Sequence, residues 1–167
     1  MDYFVTENDV KDNYNINKNV DWDSIKPNVE VGAIEHVRPI LGYTFFNDLL
    51  VKYNNSTLDA EETKLVEIVT KIVVYRATDK AIPFLTLKIS NKGVQRMSGD
   101  WSQCGQLKEL DYLRNEVQGI AGTYERELES YLYLNSKKFP LYMDKLNKEI
   151  VRPQNNTDGQ NINVDFI

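Results

Sequence analysis

The stretch QLKELDYLRNEVQGIAGTYERELESYLYL, from Gln106 to Leu134, decides the fold. Leu107, Leu110, Leu113, Val117, Ile120, Ala121, Tyr124, Leu128 and Tyr131 recur at intervals of three and four, the period of one helix face. The spacing predicts one long helix, capped at its start by Ser98, Asp100 or Ser102. At 1.5 Å per residue it reaches roughly 44 Å, more than a domain of this size requires, so one end should project or meet a partner. Gly119 and Gly122 lie inside it. Each costs about 1 kcal/mol relative to alanine, which points to close approach of another helix or to a local bend.

Before this helix, the period changes. Leu85, Leu87 and Ile89 alternate with Thr86, Lys88 and Ser90, Gly93 can supply a bulged turn, and Val94 to Met97 can return, so a two-stranded finger is expected over 85–97. Upstream, a helix capped by Ser56 or Thr57 and running to about Ile82 carries Leu65, Ile68, Val69, Ile72, Val73, Tyr75 and Ala81 on more than one side. It should be the buried centre, interrupted by Pro83. A shorter helix over about Tyr43 to Tyr53 presents Phe46, Leu49, Leu50 and Tyr53. The first real helix begins near Asp23 or Ser24, tolerates Pro27 in its opening turn, places Ile25, Val29, Ala33 and Val37 on one face, and should stop near Arg38 because Pro39 follows. Residues 1–20 read as a polar arm with a short helix from Glu7 to Tyr14 capped by Thr6.

After the long helix, Phe139-Pro140-Leu141-Tyr142 reads as an anchor onto the bundle. A polar linker from Pro153 to Asn161 leads to Ile162, Val164 and Phe166, which alternate with Asn163 and Asp165 as a strand would when added to another chain. The expected organisation is therefore an N-terminal arm at 1–20, a helical domain at 21–143 with a hairpin at 85–97, and a C-terminal tail at 144–167. The fold class is mainly α: a helical bundle with one long helix, a small β-hairpin and extended N- and C-terminal arms.

Composition narrows the function classes. The chain has 167 residues, 41% hydrophobic and 27% charged, which suits one domain with a single core. Its 20 Lys and Arg against 25 Asp and Glu are interspersed, without the basic cluster that phosphate-backbone binding needs. The sequence lacks an apolar run of membrane-spanning length and a basic leader followed by an apolar stretch, so neither a membrane span nor secretion is expected. One cysteine, Cys104, and one histidine, His36, leave no metal-ligand spacing and no nucleophilic triad, and no Gly-rich phosphate loop occurs. Glu61, Glu62, Glu125, Glu127 and Glu129 read as solvated helix faces, and Tyr124, Tyr131, Tyr133 and Tyr142 as core or interface anchors. No enzyme activity, cofactor or metal is expected. Contact with other proteins is.

Several short stretches, taken in order, resemble the head–tail adaptor, or connector, proteins of tailed bacteriophages, in the form seen in crAss-like phages. They are Val37-Arg38-Pro39-Ile40-Leu41-Gly42 before an aromatic helix, Ala81-Ile82-Pro83-Phe84, Ile89-Ser90-Asn91-Lys92-Gly93-Val94, and Asn135 through Phe139-Pro140, spanning about Trp22 to Tyr142. The resemblance implies a helical virion protein assembled, usually as twelve copies, into a ring at the head–tail junction. Its partners would be the portal and the next neck or tail protein, with DNA passing through the channel without sequence-specific binding, after synthesis in the host cytoplasm. It makes Pro39, Leu41, Gly42, Phe139 and Pro140 structural-motif residues. Leu85, Leu87, Ile89, Gly93 and Val94 on the finger, and Ile162, Val164 and Phe166 on the tail, are then the expected interface. The alternative from another class is a helical regulatory or scaffold protein that binds a partner transiently.

Overall fold

The structure, a computed structural model, describes residues 3–13, 22–90, 93–96, 107–143 and 145. Its elements are α1 (Glu7–Asn13), α2 (Trp22–Gly32), a π-helical turn (Ala33–Val37), α3 (Arg38–Leu41), α4 (Tyr43–Asn54), α5 (Ala60–Thr86), β1 (Leu87–Ser90), β2 (Gly93–Arg96), α6 (Leu107–Leu134) and a 3-10 turn (Ser136–Lys138). No helix among the described residues is long and apolar enough to cross a membrane.

α5 is the centre. Leu65, Val69, Ile72, Val73, Val74, Ala77 and Ala81 are fully buried, on more faces than one neighbour could cover. α6 runs antiparallel to it, since Glu61 meets Tyr131 while Asp79 meets Arg114. Among the described side chains of α6, Ala121, Leu128 and Leu132 are fully buried. α2 and the π turn cover another side. There Gly32 lets the backbones approach: a Cβ at this position would lie 3.3 Å from the Val73 carbonyl oxygen and the Ala77 nitrogen.

Ile25, Val29, Ala33 and Val37 are all buried, as their shared face requires. A spacing of four drifts around an α-helix of 3.6 residues per turn, and the wider π turn brings the stripe back toward α5. Pro39 does not stop the helix as expected. It falls in the first turn of α3, where a missing N–H costs nothing. The stop comes at Gly42, whose φ of 84° and ψ of 155° belong to a region open essentially to glycine alone. The Lys145 ammonium donates to the last carbonyls before it, those of Pro39 and Ile40, each at 2.7 Å.

Four expectations need correction. The expected N-terminal arm is part of the core: Phe4, Val5 and Val10 are buried, Phe4 packs edge-on to Phe46 at 5.5 Å, and the Thr70 hydroxyl donates to the Phe4 carbonyl at 2.7 Å. There are two long helices, not one, of 27 and 28 residues. The finger does not run over 85–97 as expected: α5 continues through Pro83 to Thr86, so Leu85 is helical, and no described core side chain comes from a strand. What extended backbone is described amounts to one four-residue ladder that pairs Leu87 with Arg96, Ile89 with Val94 and Ser90 with Gly93. A short apolar alternation cannot by itself separate a strand from the last turn of a helix. Finally, α5 is capped by Asp59, not by Ser56 or Thr57: its Oδ1 accepts from the backbone N–H of Glu61 and Glu62 at 2.8 and 2.7 Å, and Glu62 Oε2 accepts from Asp59 N–H at 3.1 Å. The extended tail at 144–167 lies outside the described residues, apart from Lys145.

Two substitutions test this arrangement by chemical denaturation. Leu128→Ala should lower the unfolding free energy by about 2–5 kcal/mol, because it empties a fully buried site between α5 and α6. Gly42→Ala should cost about 1–3 kcal/mol from backbone strain. A neutral result for either would refute the corresponding packing or turn.

Candidate functional site

α6 differs between its inner and outer faces, and the difference defines the surfaces available for contact. Toward α5 it is held by ion pairs. Arg76 donates from Nε and a terminal nitrogen to the two oxygens of Glu125 at 2.8 and 2.9 Å, a bidentate pair. His36, in the π turn, places Nδ1 3.1 Å from the same carboxylate, and Lys80 reaches Glu35 at 2.6 Å. Asp79, buried on α5, accepts from Arg114 Nε and Gln118 Nε2, each at 3.0 Å. Three elements are thus tied by a seam that runs along α5.

The far end of the seam is also polar. Tyr131 donates to Glu61 at 2.9 Å, with Lys138 3.1 Å from Glu61. Burial and this hydrogen bond push the Tyr131 hydroxyl up to about 12, while Lys138 and then Tyr131 hold the Glu61 carboxyl below its usual range. Between the two ends, Tyr75 stacks on Tyr124 at 5.8 Å and Lys71 lies 5.2 Å from the centre of the Tyr124 ring. Glu61, Glu62 and Glu125, expected as solvated, are therefore bound into caps and ion pairs; Glu127 and Glu129 are exposed. Among the described residues no group of three or more His, Cys, Asp and Glu side chains converges to hold a metal.

His36 is the titrating member of the seam. Burial, and then the Arg76 charge, push its pKa below 6.5 against the opposing pull of Glu125 and Glu35. The neutral imidazole can donate from Nδ1 to Glu125.

The outer face of α6 is different. Leu113 and Ile120, seven residues apart on one line, are 48% and 39% exposed. Beside them Glu116 and Glu127 are exposed and lack an ionic partner among the described residues. A Cβ on Gly119 or Gly122 would meet nothing within 4 Å, so no second helix among the described residues approaches there. At the helix's other end, Tyr133 and Leu134 are 77% and 79% exposed and, with Glu129 and Ser130, line an open depression of about 420 Å³. Phe84, at the end of α5, is also exposed.

The expected motif residues fall on both sides of this division. Leu41 and Phe139 are buried, Phe139 with its ring 5.5 Å from Phe45, whereas Pro39 and Pro140 are exposed. Gly42 makes the turn already described. Of the expected interface residues, Leu85 is half-buried at the end of α5. Leu87, Ile89, Gly93 and Val94 contribute backbone to the short ladder. Ile162, Val164 and Phe166 lie outside the described residues, as does Cys104. The outer strip of α6 was visible in the sequence only as part of a continuous stripe. Tyr133 and Leu134 fell outside that stripe, but so did Leu132, which is fully buried, so the spacing did not mark them as exposed.

These features define a helical bundle with a tightly paired interior and several exposed apolar residues on the outer side of its longest helix. The model of a family of unknown function, DUF6712, matches residues 37–151, more than half of the chain, and the chain belongs to that family. No curated protein and no solved structure matches it.

The depressed His36 pKa has a consequence for stability. The unfolded chain binds its proton at a higher pH than the folded one, so stability present above the ordinary value of 6.5 is lost as pH falls through it. The stability of the wild type relative to His36→Gln should therefore decline from about pH 7 to about pH 5, measured by thermal unfolding at each pH. A relative stability that rises on acidification would show that His36 is stabilised as the cation.

Proposed function

We propose that this chain is a structural virion protein, a subunit of a ring that joins head to tail around the DNA channel of a tailed bacteriophage. The ordered stretches between Trp22 and Tyr142 support this reading, and they largely coincide with the region that carries the family match. The observation that carries it in the structure is the outer face of α6. A helix whose inner face is bound by ion pairs to α5, and whose outer face exposes Leu113, Ile120, Tyr133 and Leu134, has apolar area left over for other chains. Ring subunits need such surfaces, and they need two different ones, because each neighbour is met by a different side.

The partners in this proposal are further copies of the chain, twelve in the family it resembles, together with the portal and the next neck or tail protein. The net charge of −5, with basic residues scattered, suits a channel through which DNA moves without being held. The test is particle mass and electron microscopy of the purified chain, alone and mixed with the portal of its phage. Rings of uniform diameter, free or seated on the portal, are the expected result. A stable dimer that forms no ring under either condition would overturn the proposal and favour a transiently binding regulator.

A further inference from the structure

We propose that the segment from Ile162 to Phe166 folds back onto its own chain and docks in the groove between the N-terminal residues Tyr3 to Val5 and α2.

The groove, of about 350 Å³, has an apolar base and aromatic sides. Val5 and Val29, both buried, form its floor, and Tyr3, Trp22 and Pro27 its walls. Lys26 and Glu30, both exposed, stand at the rim. Trp22, Lys26, Val29 and Glu30 share one face of α2, spaced by three and four. Across from them Tyr3 and Val5 line the groove while Phe4, between them, packs against Phe46 in the core. A concave site of this kind takes apolar side chains and orients them with a few polar groups.

Ile162, Val164 and Phe166 alternate with Asn163 and Asp165, so an extended peptide of this sequence turns its apolar side chains to one side and its polar ones to the other. Four steps of about 3.3 Å carry it roughly 13 Å. Along α2, the eight steps from Trp22 to Glu30 cover about 12 Å, so peptide and groove match in length.

The segment reaches this groove from its own chain. Lys145 is fixed on the carbonyls of Pro39 and Ile40, and Glu30 precedes Pro39 by nine positions in a continuous helical run, about 14 Å. The 16 residues from Lys145 to Asn161 extend to roughly 50 Å. A tether that exceeds its span in this way holds the segment at an effective concentration on the order of millimolar, so a weak contact suffices. Arriving from the Pro39 side, the peptide lays Ile162 near Glu30 and Phe166 near Trp22.

Charge selects this groove over the depression beside Tyr133 and Leu134. There the lining charge is the acid Glu129, which repels Asp165. Here the Tyr3 hydroxyl donates to Glu30 at 2.6 Å, and Lys26 has no ionic partner among the described residues. With the apolar side chains on the floor, Asp165 turns to the rim where Lys26 stands.

Two measurements on the whole chain test this. In a Cys104→Ser background, Lys26→Cys with Asp165→Cys is equilibrated in a glutathione buffer at low protein concentration. An intrachain disulfide is expected, about 10-fold or more favoured over that of the control pair Glu129→Cys with Asp165→Cys. Adding Phe166→Ala should remove most of that advantage. Equal stability of the two pairs would overturn the docking. Covalent dimers in place of the intrachain bond would overturn the choice of occupant and assign the groove to a second copy. Separately, Trp101→Phe leaves Trp22 as the sole tryptophan. Deleting residues 161–167 should then shift its emission to longer wavelength and increase its quenching by acrylamide. Lys26→Glu should act in the same direction, and Asp165→Lys should reverse it. Unchanged Trp22 emission on deletion would refute the contact. Circular dichroism checks that each variant keeps its helix content, and none of these readouts depends on ring formation.

Discussion

α5 is apolar on almost every side, and a helix of that kind has to be sheathed. The rest of the structure follows from this requirement. α2 and the π turn lie against it where Gly32 permits close backbone approach, the segment from Tyr3 to Asn13 closes another part, and α6 covers the remainder. Lys64, Glu67 and Lys71 keep one edge of α5 in solvent, but polar groups under α6 need partners there. Arg76 and Asp79 are accordingly met by Glu125, Arg114 and Gln118, all on α6. Removing one partner would strand a charge in a site with little water, so these pairs fix which turn of α6 lies beside which turn of α5 more than they add to net stability.

How much of this could be read from the sequence depended on the kind of signal. The face formed by Ile25, Val29, Ala33 and Val37, the central position of α5 and the extent of α6 were legible, because hydrophobic burial imposes a period that survives in one chain. Pro39 and Pro83 misled, for a common reason. A proline removes one backbone donor, but whether the chain stops there depends on whether that donor was needed, and tertiary packing decides this. The N-terminal segment was misjudged from its polar composition. Three residues, Phe4, Val5 and Val10, suffice to anchor it, and their spacing matches neither a helix nor a strand period.

The candidate surface was legible only in part. The sequence presents α6 as one continuous apolar stripe, and nothing in the spacing says where α5 stops covering it. The structure supplies that boundary. Ala121, Leu128 and Leu132 are spent on the interior, while Leu113 and Ile120 lie outside it. The pairing of His36 with Glu125 was equally hidden, since it joins residues from elements far apart in the chain. A clue did exist in Arg76, a cation directly after the apolar run Ile72-Val73-Val74-Tyr75, which needs an anion from somewhere.

The antiparallel seam also bears on how the molecule reaches its native state. Its polar ties join residues separated by 35, 39, 49 and 70 positions, for Asp79 with Arg114, Asp79 with Gln118, Arg76 with Glu125 and Glu61 with Tyr131. These are nested, each enclosing the one before. Once the innermost tie holds, the next requires only a small further closure, whereas forming the outermost first means closing the largest loop at the highest entropic cost. The helical pair is therefore built to close like a zipper, from Asp79 outward to Glu61, and the connection between α5 and α6 sets the pace of the first step.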